Sequence, residues 1–190
     1  MNNRDGSTLR TSRSRKLIAL MLAAAAVAIP LTVISFASAD SDHSLTAVAA
    51  AATGRFHDLA ASNAAGWDGV VTDVNGLTCI DNQPVGGMGI HYANASLLFD
   101  AELDPTRPEA LVYAPNAAGR PKLAALEYIV FQDAWTAAGH HDPPTLFGRP
   151  FAATPAPNRF GIPAFWSLHV WIWQPNDAGL FEPWNPRVHC

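Results

Sequence analysis

Positive charge is scarce in this chain once its first 39 residues are set aside. That segment holds five of the twelve lysine and arginine residues and one of the sixteen acidic ones. The remaining 151 residues therefore carry 7 positive and 15 negative side chains, a net −8. A surface of that sign repels phosphate backbones and anionic lipid, which argues against nucleic acid and membrane surfaces as partners. Cysteine is nearly absent: Cys79 and Cys190 are the only two. The short catalytic signatures are missing as well. There is no Gly-x-Ser-x-Gly elbow for a serine nucleophile, and no His-x-His or His-Glu-x-x-His pair for a metal. The glycine-rich "GGMG" at 86–89 lacks the Lys-Ser/Thr of a phosphate loop and runs into a strand-like segment. Its glycines read as positions of positive φ or close backbone approach. No internal repeat is visible.

What is present begins with a leader. Arg10, Arg13, Arg15 and Lys16 precede a long apolar run, which ends in Ala37-Ser38-Ala39 and acidic Asp40. That is the layout of a secretory signal peptide over 1–39. The run is long enough for a membrane anchor, but Pro30 within it and the small-x-small ending favour cleavage. Without a twin arginine, the general export route is expected. Residues 40–190 then form one exported domain, with no membrane contact after cleavage. In an oxidising compartment Cys79 and Cys190 are expected to pair, stapling the C-terminus to the body.

Residues 44–64 carry apolar side chains at helical spacing, with Ser/Asp at the start, Gly54 in the middle and Gly66 as a stop. Short strands are expected at "VVTDV" (70–74) and "MGIHY" (88–92), then a helical turn over 95–100. "ALVY" (110–113) and "KLAALEYIVF" (122–131) read as a hairpin, "DAWTAAG" (133–139) as a short helix, and 140–164, with six prolines, as an irregular loop or lid. "FWSLHVWIW" (165–173) is the strongest strand signal. The fold expected is α+β: one N-terminal amphipathic helix on a curved antiparallel sheet with long irregular loops.

Three of these segments each place one proton- or metal-capable side chain in an apolar run: His91, Glu127 and His169. A carboxylate among leucine, isoleucine and phenylalanine is costly to bury unless it is paired or metal-bound. Strand alternation puts Glu127 with Ala125 and Ile129, and His169 with Ser167 and Trp171, but does not say which face is the core. If the three converge, two imidazoles and one carboxylate form a site for one divalent transition metal, with zinc, iron or copper as candidates. His57, His140 and His141 are the candidate extra ligands or proton shuttles. The competing readings are a direct His91–Glu127 ion pair, a hydrogen-bonded core histidine at 169, and metal-free acid–base chemistry on Glu127. A different class of function is a non-catalytic binding or envelope protein with an aromatic cleft for a small apolar or sugar ligand. Trp171, Trp173 and Tyr128 are its ligand-binding candidates.

The segments "GGMGIHY", "RPEALVY", "LEYIVF", "LHVWIW" and "FEPWNPRVHC" together resemble a family of small exported bacterial proteins of uncharacterised activity. The resemblance covers nearly all of residues 40–190 and implies export and a single domain. It carries no catalytic residue, cofactor or substrate.

Overall fold

The computed structural model describes residues 34–190, with side chains from residue 43 onward. The expected leader lies outside the described residues, apart from the backbone of its last few positions. Helix α1 spans Ile34–Thr53 and α2 spans Leu59–Ala64, joined by a 3-10 turn over Gly54–His57. The single helix expected over 44–64 is thus interrupted. Gly54 opens the 3-10 turn, and Asp58 then restarts the helix by accepting a hydrogen bond from the Ala60 N–H. The first helix also begins well before the Ser/Asp-rich stretch that marks a start in the sequence. Two further short helices follow, α3 (Ala95–Leu98) and α4 (Gln132–Ala137).

The strands are β1 (Gly69–Val70), β2 (Cys79–Asn82), β3 (Gly86–Ala93), β4 (Ala110–Pro115), β5 (Pro121–Phe131), β6 (Thr145–Leu146), β7 (Arg149–Pro150), β8 (Ala152–Thr154) and β9 (Phe165–Val170). Seven of them make one antiparallel sheet in the order β1-β3-β4-β5-β9-β8, with β2 also on β3, and β6 and β7 form a separate hairpin. The fold is α+β. Two differences from the sequence reading have local causes. "VVTDV" is strand only at its start, because the Asp73 carboxylate folds the chain back by accepting from the Asn75 and Leu77 N–H groups. The 140–164 segment is not wholly irregular: β8 pairs with β9, and Phe147 and Phe151 anchor the segment in the core.

One sheet face is the main core. Leu111, Tyr113, Leu126, Tyr128 and Val170 point to it and are fully buried against Phe56 and Trp67 from the helical side. Buried hydroxyls there are satisfied: Tyr113 donates to the Phe56 carbonyl and Tyr128 to that of Pro105. The opposite face is only partly covered. Val188 of the C-terminal tail packs on Val112, Ala125 and Trp171, while Gly87 and Asn185 bridge tail and strand. The Cys79–Cys190 disulfide, 111 residues apart in sequence, ties the tail down. The glycines of "GGMG" permit this closeness. A Cβ on Gly87 would lie 2.8 Å from Val188, and Gly89, at φ +105°, would place one 2.7 Å from the Tyr113 carbonyl oxygen. Among the described residues no helix is long and apolar enough to cross a membrane.

Candidate metal centre

Beyond the tail, the second face carries the three suspected side chains. Across the sheet Ala93 pairs with Ala110, Ala110 with Glu127, and Glu127 with His169. Glu127 and His169 therefore stand side by side on adjacent strands, where directly opposed side chains are in reach of one another. His91 lies two residues before Ala93 on the same face. Only β4 separates it from β5, with Val112 level with His91 and Ala110 level with Glu127, so the two side chains reach each other diagonally. The small Ala110 leaves room beside Glu127, and His91 and Glu127 meet across β4.

The geometry is tight. His91, Glu127 and His169 are 3%, 7% and 2% exposed. One donor atom from each lies within 4.8 Å of the other two, and no further histidine, cysteine or acidic residue among the described ones joins the group. His91 Nε2 is 2.9 Å from Glu127 Oε2. The two imidazole rings are 5.7 Å apart at 81°, and His169 stacks on Trp171 at 4.8 Å. The His91–Glu127 contact has the length of a hydrogen bond and helps to hold the Glu127 carboxyl down, although it falls short of strict ring N–H alignment. Neither nitrogen of either histidine has a hydrogen-bond partner in the protein. Four buried polar atoms without partners are expensive in a folded protein.

Charge follows from the same packing. Burial pushes the Glu127 carboxyl up, but His91 beside it, helped by His169 and Ser167, outweighs that and holds it below the usual carboxylate range. Burial drives the His169 imidazole down to about 4, against the opposing pull of Glu127. The two shifts favour a carboxylate at Glu127 and a neutral imidazole at His169.

Two recesses reach the centre. One is an apolar cavity of about 210 Å³ whose walls include Phe99, Phe131, Phe160 and Phe165, with His91 and Glu127 as its only ionisable lining residues. The other, about 320 Å³, is of mixed character, with Arg149, Ser167, His169 and Glu182 among apolar residues such as Leu168 and Phe181.

The other suspected residues lie elsewhere. His57 is exposed and packs edge-on against Trp173 at 4.5 Å; His140 is exposed and stacks on Trp135 at 3.7 Å; His141 is exposed beside it. None joins the His91–Glu127–His169 group. Tyr128 is fully buried in the main core, Trp171 is buried with its indole N–H donated to the Glu182 carbonyl, and Trp173 is half-buried. None of the three lines the apolar cavity. Its aromatic walls come instead from phenylalanines, of which Phe99 and Phe131 carry no local signal beyond being apolar next to a turn and at a strand end.

Glu109 is a second buried acid, 1% exposed, that motif reading passes over. Its Oε2 accepts from the Ile129 N–H just past the β4–β5 ladder, where the Pro108 carbonyl accepts instead from the Trp67 indole N–H. Burial pushes its carboxyl up to about 8, despite hydrogen bonds from Ile129 and from its own backbone N–H. The only hint in sequence is its position between a proline and a strand.

No family model, no curated protein and no solved structure matches the chain.

Proposed function

We propose that this is an exported metal-binding protein in which His91, Glu127 and His169 hold one divalent transition ion. The observation that carries this reading is the convergence of three buried ligand-type side chains whose donor atoms lie within 4.8 Å of one another. Two ligands of one ion at bonds of about 2.0–2.1 Å and right or tetrahedral angles stand about 2.9–3.4 Å apart, which the His91–Glu127 pair matches, while the group's span of up to 4.8 Å means that one side chain closes in when an ion binds. An ion would also partner one nitrogen on each ring, and the flanking recesses admit water to the remaining positions.

Three protein ligands leave coordination positions open. An ion so held lowers the pKa of a bound water or polarises a carbonyl oxygen, and the same donors suit zinc, iron and copper. Glu127 supplies the negative charge, His169 a neutral donor, and the alanine row the space. Export rests on the leader pattern and on the Cys79–Cys190 disulfide, whose chemistry belongs to an oxidising compartment. A second reading, a non-catalytic binder of a small apolar ligand, is favoured by the phenylalanine-lined cavity.

Elemental analysis separates the two. The full-length protein, purified without a histidine tag and supplemented with zinc, iron or copper, is expected to retain one ion per chain. Glu127→Ala, with its fold checked by circular dichroism, is expected to retain none. A wild-type protein that holds no ion after supplementation refutes the metal reading and leaves the binder.

A further inference from the structure

Resting on that metal reading, we propose that the apolar cavity beside the centre binds a molecule of one aromatic ring carrying one anionic oxygen, an arenecarboxylate or a phenolate, with the oxygen on an open position of the ion. Size sets the first limit. An apolar cavity of about 150 Å³ accommodates benzene, so about 210 Å³ takes one ring and a few further atoms. Wall chemistry sets the second. Phe99, Phe131, Phe160 and Phe165 offer ring faces and edges, and aromatic guests gain from stacked or edge-on contacts with them. Phe99 is 71% exposed and stacks on Phe131 at 5.6 Å and 18°, so an aromatic surface stands in solvent at the cavity with nothing over it. The ionisable groups of the lining all lie at one end, at His91 and Glu127, which fixes which way a guest with a single polar group must enter.

Charge then selects the polar group. Without an ion, the polar groups at the cavity are a carboxyl and an imidazole already in contact with each other at 2.9 Å, which offer an anionic oxygen no open position. A divalent cation supplies both the positive charge and the open position that a carboxylate or phenolate oxygen takes. Affinity for the anionic guest therefore depends on the metal, whereas affinity for an uncharged ring does not.

Calorimetric titration of the full-length protein with benzoate, toluene and 9-anthracenecarboxylate tests this, each against zinc-loaded and metal-stripped samples whose zinc content is measured alongside. Benzoate is expected to bind the zinc-loaded protein at least about tenfold more tightly than the stripped one. Toluene should bind both alike, and the three-ring acid neither. Filling the cavity with Ile129→Trp should weaken benzoate and toluene together. The stripped wild type gives the metal comparison even if that variant does not fold. Equal benzoate affinity with and without zinc overturns the proposal, as does binding of the three-ring acid or no toluene binding at all. One zinc per chain without benzoate binding overturns this inference alone; no zinc uptake overturns it together with the metal reading.

Discussion

Replacing Glu109 by glutamine keeps the shape of a buried side chain and removes only its ability to ionise. In the folded protein burial holds this carboxyl protonated up to about 8, while in the unfolded chain it ionises near 4.5. Between those values the folded state binds the extra proton, so stability falls as pH rises through the interval. The contribution is fully present below about pH 4.5 and gone above about pH 8. The slope is about 1.4 kcal/mol per pH unit, and over the whole interval it reaches at most about 5 kcal/mol. Water entering around the carboxylate would reduce that figure. The glutamine side chain in Glu109→Gln still offers an oxygen to the Ile129 N–H, so the variant should lack this pH dependence. Urea unfolding of wild type and Glu109→Gln at half-unit steps from pH 4.5 to 9 measures the difference. The wild type should lose ground steadily against the variant and then level off. A stability difference that stays flat across the range refutes the argument that this carboxyl is buried uncharged.

Reducing the Cys79–Cys190 bond opens a loop with 111 residues of separation. It should cost about 4–5 kcal/mol, or about 10–20 °C in Tm, by calorimetry with and without dithiothreitol. Gly89→Ala puts a Cβ against the Tyr113 carbonyl at a positive φ. It should destabilise the protein by about 1–3 kcal/mol in chemical denaturation, and a neutral effect would contradict the close approach described. Ala110→Leu fills the space over which His91 and Glu127 meet, so retained ions should drop from one per chain to none by elemental analysis. Retention of one ion in that variant would mean the alanine row does not make the site.

The central hairpin is legible because "ALVY" and "LEYIVF" are β-rich, apolar and separated by a glycine-containing turn. Both faces of that hairpin are apolar, so alternation alone does not say whether Glu127 or Tyr128 points to the main core. The answer depends on the helices and the C-terminal tail, which cover the two faces unequally. That His91 reaches Glu127 across an intervening strand depends on pairing register. Register is a property of strand pairing, and it also shifts where Ala124 on β5 and Met88 on β3 are extra residues, which the side-chain pattern does not encode. The aromatic residues mislead in a regular way. Tryptophans draw attention as ligand platforms, yet Trp171 finds a backbone partner and is buried. The solvent-facing ring is Phe99, on a turn after a one-turn helix, where no periodicity operates. The helix break has a local cause that is visible afterwards, since Asp58 is a good N-cap residue placed behind a glycine.

Anomalous diffraction from crystals of the metal-supplemented protein, collected at the absorption edge of the bound element, tests the metal centre most directly. A single strong peak is expected over Ala110, at about 2.0–2.2 Å from one nitrogen of His91, one nitrogen of His169 and a carboxylate oxygen of Glu127. A peak bound elsewhere on the chain, or an N–H of His91 donated to Glu127 with no ion between them, would contradict it.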